Sequence, residues 1–153
     1  MTLPTPTSSA ITVAAPVDHL GLPLLGDERW WGGAVADGER MPFGATAHRR
    51  NLATSAGCLL PGDDTHGCNQ SAPLLISNRG RYVWSEEPFT FTFDGGGLLT
   101  VDGSDVVVGA ADGPDHGTLA GAFRAASRRH FPTSGAVPES AMFAAPLYNT
   151  GIE

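Results

Sequence analysis

Lysine is missing from this 153-residue chain: all nine basic residues are arginine, against sixteen Asp and Glu, for a net charge of −7. A protein that neutralises phosphates needs a basic face, so this balance argues against nucleic acid as a partner. The same balance argues against an anionic membrane surface. A phosphate-binding loop of the Walker type is excluded outright, because its lysine has no counterpart. No run of about 18 or more apolar residues occurs, so the sequence predicts no membrane-spanning helix. The first fifteen residues, MTLPTPTSSAITVAA, carry no positive charge and no clean apolar stretch. They do not fit a secretory signal, and the expected compartment is the cytoplasm. Cysteine is scarce too. Cys58 and Cys68 stand ten apart in a Gly- and Asp-rich stretch. In a reducing compartment they are expected to be free thiols, and a zinc site would need further ligands that the neighbourhood lacks. There is no nucleophile elbow and no helical pair of histidines. The histidines at 19, 48, 66, 116 and 130 are scattered and read as surface or packing residues. No cofactor and no metal are expected.

What the chain has in quantity is turn chemistry: 20 Gly and 12 Pro beside 41% hydrophobic residues. That mixture suits one domain of many short strands. Residues 1–10 are Pro/Ser/Thr-rich and read as a flexible lead, and Ile11–Val17 as a first strand. Residues 45–70 hold few apolar anchors and read as one long loop, which in a compact domain points to function. The clearest pattern follows. Pro73–Ser77 and Arg81–Ser85 flank the turn Asn78-Arg79-Gly80, and Pro88–Asp94 alternates strictly, with Phe89, Phe91 and Phe93 on one face. A period of two marks a half-buried strand. Leu98–Val101 and Asp105–Val108 are expected as two further strands separated by a turn at Asp102-Gly103. Thr118–Phe131 predicts the one helix, with Leu119, Ala122, Phe123, Ala126 and His130 on its buried stripe. Asp115 and Thr118 are candidate caps, and Pro132 is the stop. The organisation expected is a β-domain over 11–112, a connecting helix over 113–132, and a linker with a short strand over 133–153.

The candidate chemistry is that of polyol recognition. Asp63-Asp64 is an adjacent acidic pair, with Asn69 and Gln70 nearby, and short carboxylates and amides satisfy sugar hydroxyls. Solvation alone also explains such a loop. Trp30 and Trp31 offer either a core tryptophan beside an exposed neighbour or a flat apolar platform for a sugar ring.

Several segments together resemble one family. WWGGAVADGERMPFG, GDDTHGCNQSAPLLISNRGRYVWS, the helix, and APLYNTGIE, in that order, are similar to the N-terminal part of family 31 glycoside hydrolases, from about residue 28 onward. The Gly-rich segment of that family is matched loosely by Trp31–Gly33, and its hairpin by Pro73–Trp84. The resemblance implies a mainly β fold: an antiparallel β-sandwich of the galactose-mutarotase-like type, with one C-terminal helix leading toward a (β/α)8 barrel that this chain lacks. It implies a substrate-positioning role, with Asp64 (or Asp63) touching an α-glycoside at the innermost subsite. The catalytic residues would all lie on the barrel, so no residue here is expected to be catalytic. The expected partners are a carbohydrate and the catalytic barrel of a parent enzyme, with self-association possible through the bare barrel-facing surface. Leu147 and Gly151 depart from the family's pattern at the start of the first barrel strand. Two other readings compete: an autonomous carbohydrate-binding or lectin-like module, suggested by Trp30/Trp31 and Tyr82/Trp84, and a mutarotase-like epimerase, for which His66 with Asp64 is the nearest pair.

Overall fold

The structure, a computed structural model, describes residues 14–53, 70–137 and 140. Among these the architecture is mainly β and antiparallel, with one helix towards the C-terminus, as expected. The strands are β1 (Val17–Pro23), β2 (Trp30–Ala34), β3 (Ala47–Asn51), β4 (Ser71–Ser77), β5 (Arg81–Trp84), β6 (Thr90–Asp94) and β7 (Leu98–Ala110), followed by the helix α1 (Leu119–His130). They hydrogen-bond in the order β2-β4-β5-β7-β6-β3, with β1 added against β7. The outer strands nearly meet: Trp30 and Phe43 exchange backbone hydrogen bonds of 3.1 and 2.8 Å just ahead of β3. The sheet is therefore almost closed around its core.

That core is where the Phe89/Phe91/Phe93 alternation points. All three are buried, with Trp30, Phe43, Leu75, Val83, Leu99 and Val101 around them. Phe91 and Phe93 meet edge-on with centroids 6.0 Å apart, and Phe43 packs against both. Each buried ring of this kind contributes roughly 1.5–3 kcal/mol by leaving water.

Three expectations need correction. Asp102-Gly103 is no turn, because β7 runs unbroken for 13 residues. Its first half pairs with β1 and β6, and its second half with β5. Partners on both sides of the step, up to Asp102 and again from Val106, outweigh the local turn preference. Gly103 is there for room: a Cβ would stand 2.6 Å from Phe89 Cβ. Second, the stretch read as loop from 45 contains β3, which pairs with β6 from Ala47↔Asp94 to Asn51↔Thr90. Its alternation is hidden because Arg50 is buried with a charge partner instead of an apolar one. Of the first strand expected over Ile11–Val17, residues 11–13 lie outside the described residues, and the described strand begins only at Val17 and runs to Pro23.

The helix forms with Thr118 as its cap, the hydroxyl accepting from Gly121 N at 3.0 Å. Its stripe is rotated from the expected one. Gly121, Ala122, Ala125 and Ala126 face β4, β5 and β7, while Phe123 is 54% exposed. Small residues let α1 approach the sheet closely, and a phenylalanine on that face would hold it off. At the other end His130 stacks on Trp84 with centroids 3.9 Å apart.

Candidate functional site

Asp63, Asp64, Asn69, His66, Cys58 and Cys68 lie outside the described residues, as do residues 141–153. The backbone on either side of the acidic segment is well anchored. On the incoming side, Leu52 N–H donates to Phe89 O at 2.9 Å. On the outgoing side, Gln70 O accepts from Val35 N–H at 2.9 Å, and Gln70 is itself exposed. A Cβ on Gly33 would lie 3.7 Å from Leu52 Cδ2. Both ends thus flank the last residues of β2.

The two tryptophans on β2 point to opposite faces. Trp30 is fully buried, with no hydrogen-bond partner for Nε1 among the described residues and the Arg81 guanidinium 5.6 Å from its ring centroid. This corrects the expectation of a platform there: a ring with no accessible surface presents none. Trp31 is half-buried and stands opposite Ile76, so it shares the face on which α1 sits. The glycines after it are structural. Gly32 and Gly33 have φ of 118° and 78° and mark a break in register with β4. A side chain on Gly32 would strike Leu74 O. Tyr82 is likewise buried, beneath α1. Trp84 is covered on one side by His130 and met edge-on by Phe131 at 6.2 Å. The Tyr82/Trp84 pair therefore offers no open aromatic pair for a ligand.

The fold assembles a cluster that sequence reasoning missed. After β2 the chain makes a 3₁₀ turn, Val35–Arg40, which delivers Asp37 to the interior at 1% exposure. Arg50 on β3 clasps it with two hydrogen bonds, Nε to Oδ2 at 2.8 Å and an Nη to Oδ1. His48, two residues earlier on β3, places Nε2 3.4 Å from Asp37 Oδ2. Its ring lies parallel to Phe43, 4.7 Å between centroids and 4° between planes. Burial would raise the Asp37 pKa, but hydrogen bonds from His48 and Arg50 and the charge of Arg50 outweigh it and lower the value to about 2. The carboxylate is thus a fixed negative charge at neutral pH. Above it opens a cleft of about 520 Å³ lined by Glu39, Arg40, Thr46, Ala47 and His48. Among the described residues His48 meets Asp37 in the interior, and His19 meets Asp102 at the surface at 2.6 Å; the expected pair of His66 with Asp64 lies outside them. The His-x-Arg spacing on alternate positions of one strand was the available signal. Asp37, eleven residues back across a turn, had none.

Glu28 is the second buried carboxylate, at 0% exposure. Burial pushes its pKa up, while hydrogen bonds from Arg81, Ser77 and the Leu25 amide and the Arg81 charge bring it below the ordinary carboxylate value. Neither buried acid has the raised pKa of a general acid. Among the described residues no group of three or more His, Cys, Asp or Glu could hold a metal ion. No helix among them is long and apolar enough to cross a membrane. No protein-family model matches the chain, and no curated protein matches it.

Proposed function

We propose that this chain is the substrate-positioning β-domain of a family 31 α-glycoside hydrolase, which binds carbohydrate and serves a separate catalytic barrel. Asp64 is the principal sugar contact, Asp63 the second, and Asn69, Gln70 and Trp31 surround them. The observation that carries this reading is the anchoring of the described backbone on either side of the acidic segment. Leu52 N–H donates to Phe89 O just ahead of β6, and Gln70 O accepts from Val35 N–H just after β2, both on a nearly closed sheet. Sugar contacts on a segment so held would start from a rigid base, and rigid support reduces the ordering cost of binding. The mainly β architecture and the helix after the last strand are also what the resemblance leads one to expect.

Calorimetric titration of the chain with α-glucosides and α-xylosides tests the proposal. The expected result is millimolar binding weakened by about tenfold or more in Asp64→Asn, a loss of roughly 1.4 kcal/mol. The chain alone should leave aryl α-glycosides intact. Binding that ignores both Asp64→Asn and Asp63→Asn, or hydrolysis by the chain alone, would overturn it.

A further inference from the structure

A second cleft, where β5 ends beside β7, carries charge of one sign over an apolar wall. It holds about 310 Å³; Pro16, Trp84 and Val107 form the wall, and Glu86, Glu87 and Asp105 stand around it. Trp84 is opposite Val107 in the pairing of β5 with β7, so both side chains lie on the outer face of the sheet. His130 covers one face of the indole, which remains half-buried where it lines the cleft. The Ser85 hydroxyl beside it is already engaged, donating to Ser104 O at 2.7 Å and accepting from Glu87 N at 3.0 Å.

The charge of this cleft is not offset. None of its three carboxylates has an ion pair among the described residues. All nine arginines of the chain are among those residues, and none of them lines the cleft. An anion would be repelled. A metal ion does not fit either, because among the described residues no group of three or more His, Cys, Asp or Glu could hold one, so the three carboxylates do not converge on a point. A neutral molecule would cover the apolar wall and leave the negative charge without a partner. A cation on an aliphatic stem satisfies both parts: its methylenes pack on Pro16, Trp84 and Val107 while its N–H groups donate to the carboxylates.

We infer that the cleft walled by Pro16, Trp84 and Val107 and ringed by Glu86, Glu87 and Asp105 is a binding site for a small aliphatic amine in its ammonium form. The apolar wall supplies contact area, and the spread carboxylates supply the preference for a cation.

Heteronuclear NMR titration of the full chain with n-pentylammonium chloride tests this, with n-pentanol as the neutral isostere and sodium chloride as the bare cation. Saturable shifts are expected at the Trp84 indole and at the Glu86, Glu87 and Asp105 amides. The affinity should fall severalfold as ionic strength rises from about 0.01 to about 0.1 M, since the Debye length then shrinks from about 30 to about 10 Å. Glu86→Gln, Glu87→Gln and Asp105→Asn change exposed side chains, and asparagine accepts the positive φ of 51° found at Asp105. Each should weaken binding about two- to threefold, and the triple variant about tenfold. The inference is overturned by an absence of saturable shifts at these positions, by equal shifts from pentanol or from sodium, or by affinity unchanged in all three single variants.

Discussion

Two buried carboxylate–arginine pairs sit among the described residues, and they do different work. Glu28 is clasped by Arg81 and also accepts the Leu25 N–H at 3.1 Å, while Arg81 reaches on to Pro23 O at 2.9 Å and lies over the Trp30 ring. Those bonds tie the chain between β1 and β2 to β5, and the pair is a strut. Asp37 is clasped by Arg50 in the same way, but it also meets His48, a residue that lines a cleft. The difference teaches that burial of a charge pair says little about role. The Glu28 pair bonds back to the scaffold, and the Asp37 pair also orients a side chain that lines a cleft.

The largest expected effect is on the more deeply buried pair. Asp37 is 1% exposed and Arg50 7%, so Asp37→Ala takes a charged partner from a buried guanidinium and should cost about 3–5 kcal/mol in urea unfolding. The double replacement Asp37→Leu with Arg50→Met removes the pair altogether and isolates its contribution in the same measurement. Glu28→Gln should cost less, roughly 1–3 kcal/mol, because Arg81 at 15% exposure can turn toward water and the amide keeps part of the hydrogen bonding. A larger loss for Glu28→Gln than for Asp37→Ala would break the comparison.

Acid sharpens it further. Asp37 has a folded pKa below its ordinary 3.8, so its stabilisation is present above that value and is lost as pH falls through about 2. Urea midpoints measured across this window should fall in the native chain, and the Asp37-linked part of that fall should vanish in Asp37→Leu/Arg50→Met. The smallest effect concerns a buried contact with no ion pair. Burial, and then the charge of Arg129, lower the His130 pKa below 6.5, with Glu86 opposing. The fold therefore favours the neutral ring. Its contribution is present above pH 6.5 and is lost as pH falls through the lowered folded value. His130→Gln should flatten that shallow slope.

Much of the fold was legible along the chain. Phe89, Phe91 and Phe93 announced a strand and its buried face together, because a period of two needs no partner to be recognised. The Asn78-Arg79-Gly80 turn and the Thr118 cap are local hydrogen-bond chemistry and fell where expected. The rest depended on neighbours. The Asp102-Gly103 step looks like a reversal until β1, β6 and β5 take up the edges of β7. Phe123 looks like a core residue until the helix is seen to approach on glycine and alanine. Of the site residues named from sequence, Trp30 went to the core and Gln70 and Trp31 to accessible positions. The His48 cleft could not be foreseen, since its parts come from a 3₁₀ turn and a strand joined by nothing local.

The sequence by itself determined the strand-rich character, the central hairpin, the helix with its cap and the acidic balance, all carried by interactions within a few residues of one another. Tertiary structure alone decided which charges are buried, which aromatics are open, and that a histidine meets an aspartate under a cleft. The reason is that burial and charge pairing are properties of the space between strands, and that space exists only once the sheet has nearly closed.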